Sequence, residues 1–199
     1  MKKLTLTAFS ALALSLTSSS VFAVDGTITV NGVVTDQTCT LQGYNNATGL
    51  QDITVKILTV PKSSFSPTDP SSSVQNTFTL QLTNASGTGK CDAATSKALQ
   101  GIHLSAISAT DLDAADKTLL INKSLDASTT NPVFFRIFNY AGVLVDFSAP
   151  WGTQARSPVT PDITGYKRFI SYTAQYFTKT GVVDAQNAHA IVNYTMHYN

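Results

Sequence analysis

Apolar or small residues occupy every second position near both ends of this chain. Val24, Gly26, Ile28, Val30, Gly32 and Val34 alternate with Asp25, Thr27, Thr29, Asn31 and Val33, and Ala188, Ala190, Val192, Tyr194, Met196 and Tyr198 alternate with His189, Ile191, Asn193, Thr195 and His197. A repeat of two is the side-chain period of an extended strand, whereas an amphipathic helix repeats every 3.6 residues. Shorter runs of the same kind occur at Ile53, Val55 and Ile57, at Phe78, Leu80 and Leu82, and at Ile102, Leu104 and Ala106. Segments 133–138 and 143–147 flank Asn139, Tyr140, Ala141 and Gly142 as a hairpin, and 166–177 predicts another long strand. Turn residues at 67–73 and 86–89 separate the runs, and 111–117 predicts one brief helical turn capped by Asp111. Pro150, Pro158 and Pro161 around Trp151 and Gly152 give 148–162 the composition of an ordered loop.

Composition points the same way. All twelve acidic residues are Asp, so the chain lacks the Glu that favours helix surfaces and completes capping boxes. A hydrophobic fraction of 43% suffices for one packed core, and no repeat or change of composition marks a second domain, so the expected fold is a single all-β sandwich. Thirteen basic against twelve acidic residues leave +1, which offers neither a polybasic nucleic-acid surface nor an acidic tail.

Residues 1–23 read differently. Lys2 and Lys3 precede an apolar stretch, and a small-residue region ends at Ala23, the pattern of a secretory signal peptide. Thr5, Thr7, Ser10 and Ser15 interrupt the apolar run and leave it short of a spanning length, and no later segment predicts a membrane span. Export to an oxidising compartment predicts a disulfide between the two cysteines, Cys39 and Cys91, worth about 4 kcal/mol through the closed loop. His103, His189 and His197 with no close Cys pair do not make a metal site, and nothing in the sequence calls for a cofactor.

Three motifs in order resemble the structural subunits of chaperone-usher pili, as in type 1 and type 3 fimbrial major subunits. The first is Gly26, Thr27, Ile28, Thr29, Val30, Asn31, Gly32, Val33 and Val34 followed by Cys39. The second is Phe78, Thr79, Leu80, Gln81 and Leu82 running on to Cys91. The third is Tyr172 to Gly181 followed by the alternating last strand with Tyr198. The stretch from Leu82 to Cys91 is longer than the common pattern and reads as a loop insertion at 86–90.

The resemblance implies an incomplete immunoglobulin-like β-sandwich, residues 36–199, lacking its last strand, preceded by a donor-strand extension over 24–35. It implies that Val24, Gly26, Ile28, Val30 and Gly32 enter a neighbouring subunit's groove, with Gly26 over a shallow part. Ala190, Val192, Tyr194, Met196 and Tyr198 would wall the receiving groove, and Asn199 would anchor a periplasmic chaperone. The implied partners are neighbouring pilin subunits, that chaperone and an outer-membrane usher, with passage through the periplasm to a surface fimbria. Insertion of a strand combines backbone hydrogen bonds with side chains in alternate pockets. Burying Val24, Ile28 and Val30 at ~1.5 to 3 kcal/mol each contributes roughly 5 to 9 kcal/mol before ordering costs.

Catalysis has no motif to stand on: no Gly-x-Ser-x-Gly elbow occurs, and no catalytic residue is assigned. His189 and His197 fall opposite the apolar face of the last strand and are expected to be solvated or half-buried. Asn46, Asn84, Asn122 and Asn193 head glycosylation-type triplets to which no role is given. Trp151 on its loop is the hook for the alternative function, a self-complete secreted carbohydrate-binding sandwich, unless the ring folds back on the body.

Overall fold

The computed structural model describes residues 39–199 together with Thr29 and Val34, so the expected signal peptide and the donor positions Val24, Gly26, Ile28, Val30 and Gly32 lie outside the described residues. Ten strands and one short helix follow in order: β1 (Cys39–Asn45), β2 (Ala47–Thr48), β3 (Thr54–Val55), β4 (Ser71–Asn84), α1 (Ala93–Ala98), β5 (Leu99–Ala106), β6 (Leu120–Ile121), β7 (Phe134–Phe138), β8 (Thr160–Pro161), β9 (Arg168–Phe177) and β10 (Val192–Tyr198). The large sheet runs β1-β4-β9-β7-β6, with β8 on the end of β9. β5 and β10 form a separate antiparallel pair, and β2 and β3 a small hairpin.

The alternation explains this two-layer arrangement. Phe78, Leu80 and Leu82 of β4 and Ile170, Tyr172 and Ala174 of β9 turn inward, with Phe78 opposite Tyr172 and Leu80 opposite Ile170. The intervening residues face out and pair through hydroxyls, Thr77 with Thr173 at 2.8 Å and Thr79 with Ser171 at 2.9 Å. Ile102 and Leu104 of β5 close the core from the other side, and Leu41 of β1, opposite Leu82, joins it with Val145 and Phe147. One face of each sheet is therefore apolar and buried and the other polar, as sandwiches require.

Cys39, the first residue of β1, is bridged to Cys91 with a Cα–Cα distance of 5.4 Å, which agrees with the expected disulfide. Asp92 follows at once and caps α1, accepting from the Thr95 N–H at 2.9 Å.

Several local readings differ. β4 begins at Ser71, inside the expected turn, because Ser71 already pairs with Phe177. The second arm of the 133–147 hairpin is reduced to one bridge, Phe138 to Leu144. The brief helical turn lies earlier, at Ala109–Asp111, with Ser108 as its cap and Asp111 answering the Ser108 N–H at 2.9 Å. The alternation at Ile53, Val55 and Ile57 predicts a strand packed on the core, yet only Thr54 and Val55 pair, and with β2.

Candidate functional site

The edges of the β5–β10 pair are treated unequally. On the outer side of β5, the buried amide of Gln154 takes the place of a strand: the Leu104 N–H donates to its Oε1 at 2.9 Å, and its Nε2 donates to the carbonyls of Leu104 at 2.7 Å and Asp146 at 2.8 Å. Leu104 lies opposite Tyr194, so this is a pair whose main-chain groups point away from each other. By the same alternation Val192, Tyr194 and Met196 aim their N–H and C=O groups at the far edge of β10. Among the described residues β10 has β5 as its ladder partner and nothing on that far edge.

A cleft of about 810 Å³ lies there. One wall is the stretch from Ala188 to Tyr194, and the other is the stretch from Gln51 to Ile57. Its floor is core: Phe78, Leu80, Ile102, Leu104, Ile137 and Tyr172. The Asn76 amide holds the second wall by donating to the Lys56 carbonyl at 2.7 Å. The Tyr194 hydroxyl crosses the cleft at one end to the Gln51 carbonyl at 2.9 Å.

The segment leading into β10 is fixed by side-chain amides. Gln186 accepts from the Asn122 amide and the Ser128 N–H and donates to the carbonyls of Asn131 and Asp184. Asn122 also donates to the Asn187 carbonyl at 2.7 Å and accepts from the His189 N–H at 2.9 Å. Among the described residues the wall is thus ordered without a strand partner.

Of the residues assigned to a groove wall from the sequence, Ala190, Val192 and Tyr194 line the cleft. Met196 packs on the core beyond it. Tyr198 and Asn199 lie further along, where the Asn199 N–H donates to the Ala98 carbonyl at 3.1 Å. The facing wall was missed as such, since the alternation of Ile53, Val55 and Ile57 reads equally as a core strand.

Trp151 is folded back on the outer face of the β5–β10 pair. Its ring stacks on His197 with centroids 3.9 Å apart and planes 6° from parallel, and the Arg156 guanidinium lies 3.8 Å from the ring centre. Two groups centred so close cannot share one face, so both faces of the indole are covered and no sugar ring can stack there. The loop fits because Gly101 beneath it has φ +144°, and a side chain there would come within 3.4 Å of the indole.

Burial, and then the like charges of His103 and Arg156, hold the His197 imidazole below its ordinary pKa. The ion pair with Lys123 lowers the Asp111 carboxyl, that with Lys179 lowers Asp113, and hydrogen bonds from Ser128 and Asn131 lower Asp184. Each folded pKa lies below its unfolded value, so each contribution is complete above the unfolded pKa and is lost as pH falls through the folded one. Stability measured by circular dichroism should fall in two stages, below about pH 6.5 for His197 and below about pH 4 for the carboxylates. A His197→Gln variant should lose the first stage alone, and an unchanged upper stage would show that another group titrates there.

Gln154→Ala leaves the Leu104 N–H and C=O without partners in the interior and should cost about 3 kcal/mol. The thermal midpoint should drop by roughly 6 to 12 °C, and an unchanged midpoint would mean that the β5 edge is satisfied some other way.

No protein-family model and no curated protein matches the sequence. Solved structures do. The P pilus rod subunit PapA aligns with a TM-score of 0.55 at 15% identity, over 87% of this chain and 100% of its own. The CupB6 tip adhesin from Pseudomonas aeruginosa aligns with a TM-score of 0.44 at 20% identity, over 62% of this chain and 29% of its own. The chain has the all-β, immunoglobulin-like fold of a pilin.

Proposed function

We propose that this protein is a structural subunit of a bacterial surface fimbria that polymerises by donor-strand exchange and so supports cell adhesion. The observation that carries the reading is the far edge of β10, which has no ladder partner among the described residues and where Val192 and Tyr194 direct main-chain donors and acceptors beside a cleft with an apolar floor. Such an edge is a template for one more strand. The fold shared with the P pilus rod subunit supports the same reading.

The dimensions match an occupant within the chain's own sequence. From Ala188 to Tyr194 the wall is seven residues long, about 20 Å at strand rise. Segment 24–30 is also seven residues, with Val24, Gly26, Ile28 and Val30 on one face. The family resemblance would put Gly26 over a shallow part of the floor. Insertion of one copy's segment into the next copy's cleft is heterologous and does not close, so it generates a filament. Before assembly a periplasmic chaperone would occupy the cleft, with Tyr198 and Asn199 at the end it grips, and an outer-membrane usher would host the exchange. Residues 1–23 would direct export as a cleaved signal peptide.

A labelled synthetic peptide of residues 24–34 should be captured by the purified full-length chain, measured by fluorescence anisotropy. A peptide with Ile28→Asp and Val30→Asp should bind at least a hundredfold more weakly, since two charges would enter an apolar floor. Equal binding of the two peptides would sink the proposal.

A further inference from the structure

The pilin body has two ends, and both carry exposed apolar side chains. At one end sit Cys39 and its disulfide, α1, and the 162–167 turn, which is tied to α1 by the Arg168 Nε donating to the Ser96 carbonyl at 3.2 Å. There Ile163 is 105% exposed and Tyr166 63%, with Lys90 over the tyrosine ring at 4.3 Å. At the opposite end β10 begins beside Ala106, and the 124–127 turn is held to the incoming segment by the Lys123 N–H donating to the His189 carbonyl at 2.7 Å. Here Ile107 and Ile191 are each 54% exposed and Leu125 109%, beside the Asp111–Lys123 pair at 2.7 Å.

Scattered exposed apolar residues need no explanation. These have one in their position, on the strand-exchange reading given above. A donated strand that completes the pair antiparallel to β10 runs with Val24 toward Tyr194 and leaves the cleft at its Ala188 end, beside Ile107, Ile191 and Leu125. Only residues 31–38 then separate Val30 from the donor's Cys39, and the nine steps between those two residues reach at most about 32 Å. The Cys39 end of the donor must therefore lie close to the Ile107 end of the acceptor.

We infer that the patch of Ile107, Leu125 and Ile191 is a second contact between neighbouring copies, which seats Ile163 and Tyr166 of the next subunit where its strand leaves the cleft. The contact fixes how one body stands on the next, which strand insertion alone leaves free.

The test uses the full-length chain with Ile107→Ser and Leu125→Ser, neither of which lines the cleft, and Leu125→Arg alone as a variant too exposed to affect folding. Capture of the 24–34 peptide should stay within about twofold of the unaltered chain, while multimers should dissociate about tenfold faster. Ile163→Ser should have the same effect, and combining it with Ile107→Ser should add little, because both remove one contact. Unchanged multimer lifetimes with intact peptide capture would overturn the second contact and leave strand exchange standing. Failure of the unaltered chain to capture the peptide would overturn both.

Discussion

Cells producing the chain without residues 24–30 are expected to carry no filaments built from it, whereas cells producing the intact chain carry them, as seen by electron microscopy. The shortened subunit keeps its cleft and should still capture the 24–34 peptide, so it caps a growing filament without extending it. The size of the effect follows from burial. Val24, Ile28 and Val30 together contribute roughly 5 to 9 kcal/mol before ordering costs, and Val192 and Tyr194, whose main-chain groups point to the cleft edge of β10, offer up to about four backbone hydrogen bonds at about 1 kcal/mol net each. Association costs at least ~4 kcal/mol for lost translation and rotation, which the subunit without its strand is expected not to offset. Mixed with intact chain, the deletion variant should shorten filaments in proportion to its share. Filaments of normal length from the deletion variant alone would end the strand-exchange proposal.

The strands were readable because their information is local. Phe78, Leu80 and Leu82, or Ile170, Tyr172 and Ala174, declare a buried face by period alone, and β4 and β9 follow from it. What period cannot supply is a partner. Ile53, Val55 and Ile57 alternate as clearly as any core strand, yet their neighbour across the cleft is the segment before β10, more than a hundred residues away, and only tertiary register tells a wall from a rung. Gln154 carries no sequence mark of its role, because a side-chain amide closing a sheet edge depends on Leu104 arriving beside it. Helix α1 was missed for another reason: six residues are too few for a periodic face, although Asp92 was present as a cap. Ala190, Val192 and Tyr194 were legible as one face of a strand, but not the cleft they border, since its other half comes from elsewhere in the chain.

Removal of the Cys39–Cys91 bridge should be the most destabilising change that leaves the cleft chemically untouched. The bridge closes a loop with a sequence separation of 52, which in the chain-entropy account raises the free energy of the unfolded chain by about 4 kcal/mol. Domain stabilities run from about 5 to 15 kcal/mol, and a subunit with one sheet edge unanswered is expected toward the lower end, so the loss approaches the whole. At 2 to 4 °C per kcal/mol for a chain of this size, the thermal midpoint of the Cys39→Ala, Cys91→Ala variant should fall by roughly 8 to 16 °C. Dithiothreitol should lower the midpoint of the unaltered chain by a similar amount and that of the double variant not at all. The captured 24–34 peptide should recover part of the loss in both, because a ligand that binds only the folded form stabilises it by mass action. A midpoint indifferent to reductant in the unaltered chain would mean that the bridge does not hold β1 to the segment before α1. Recovery by peptide without recovery of filaments would place the bridge's contribution at the point where the extension leaves the body, Cys39 itself, and not in the cleft.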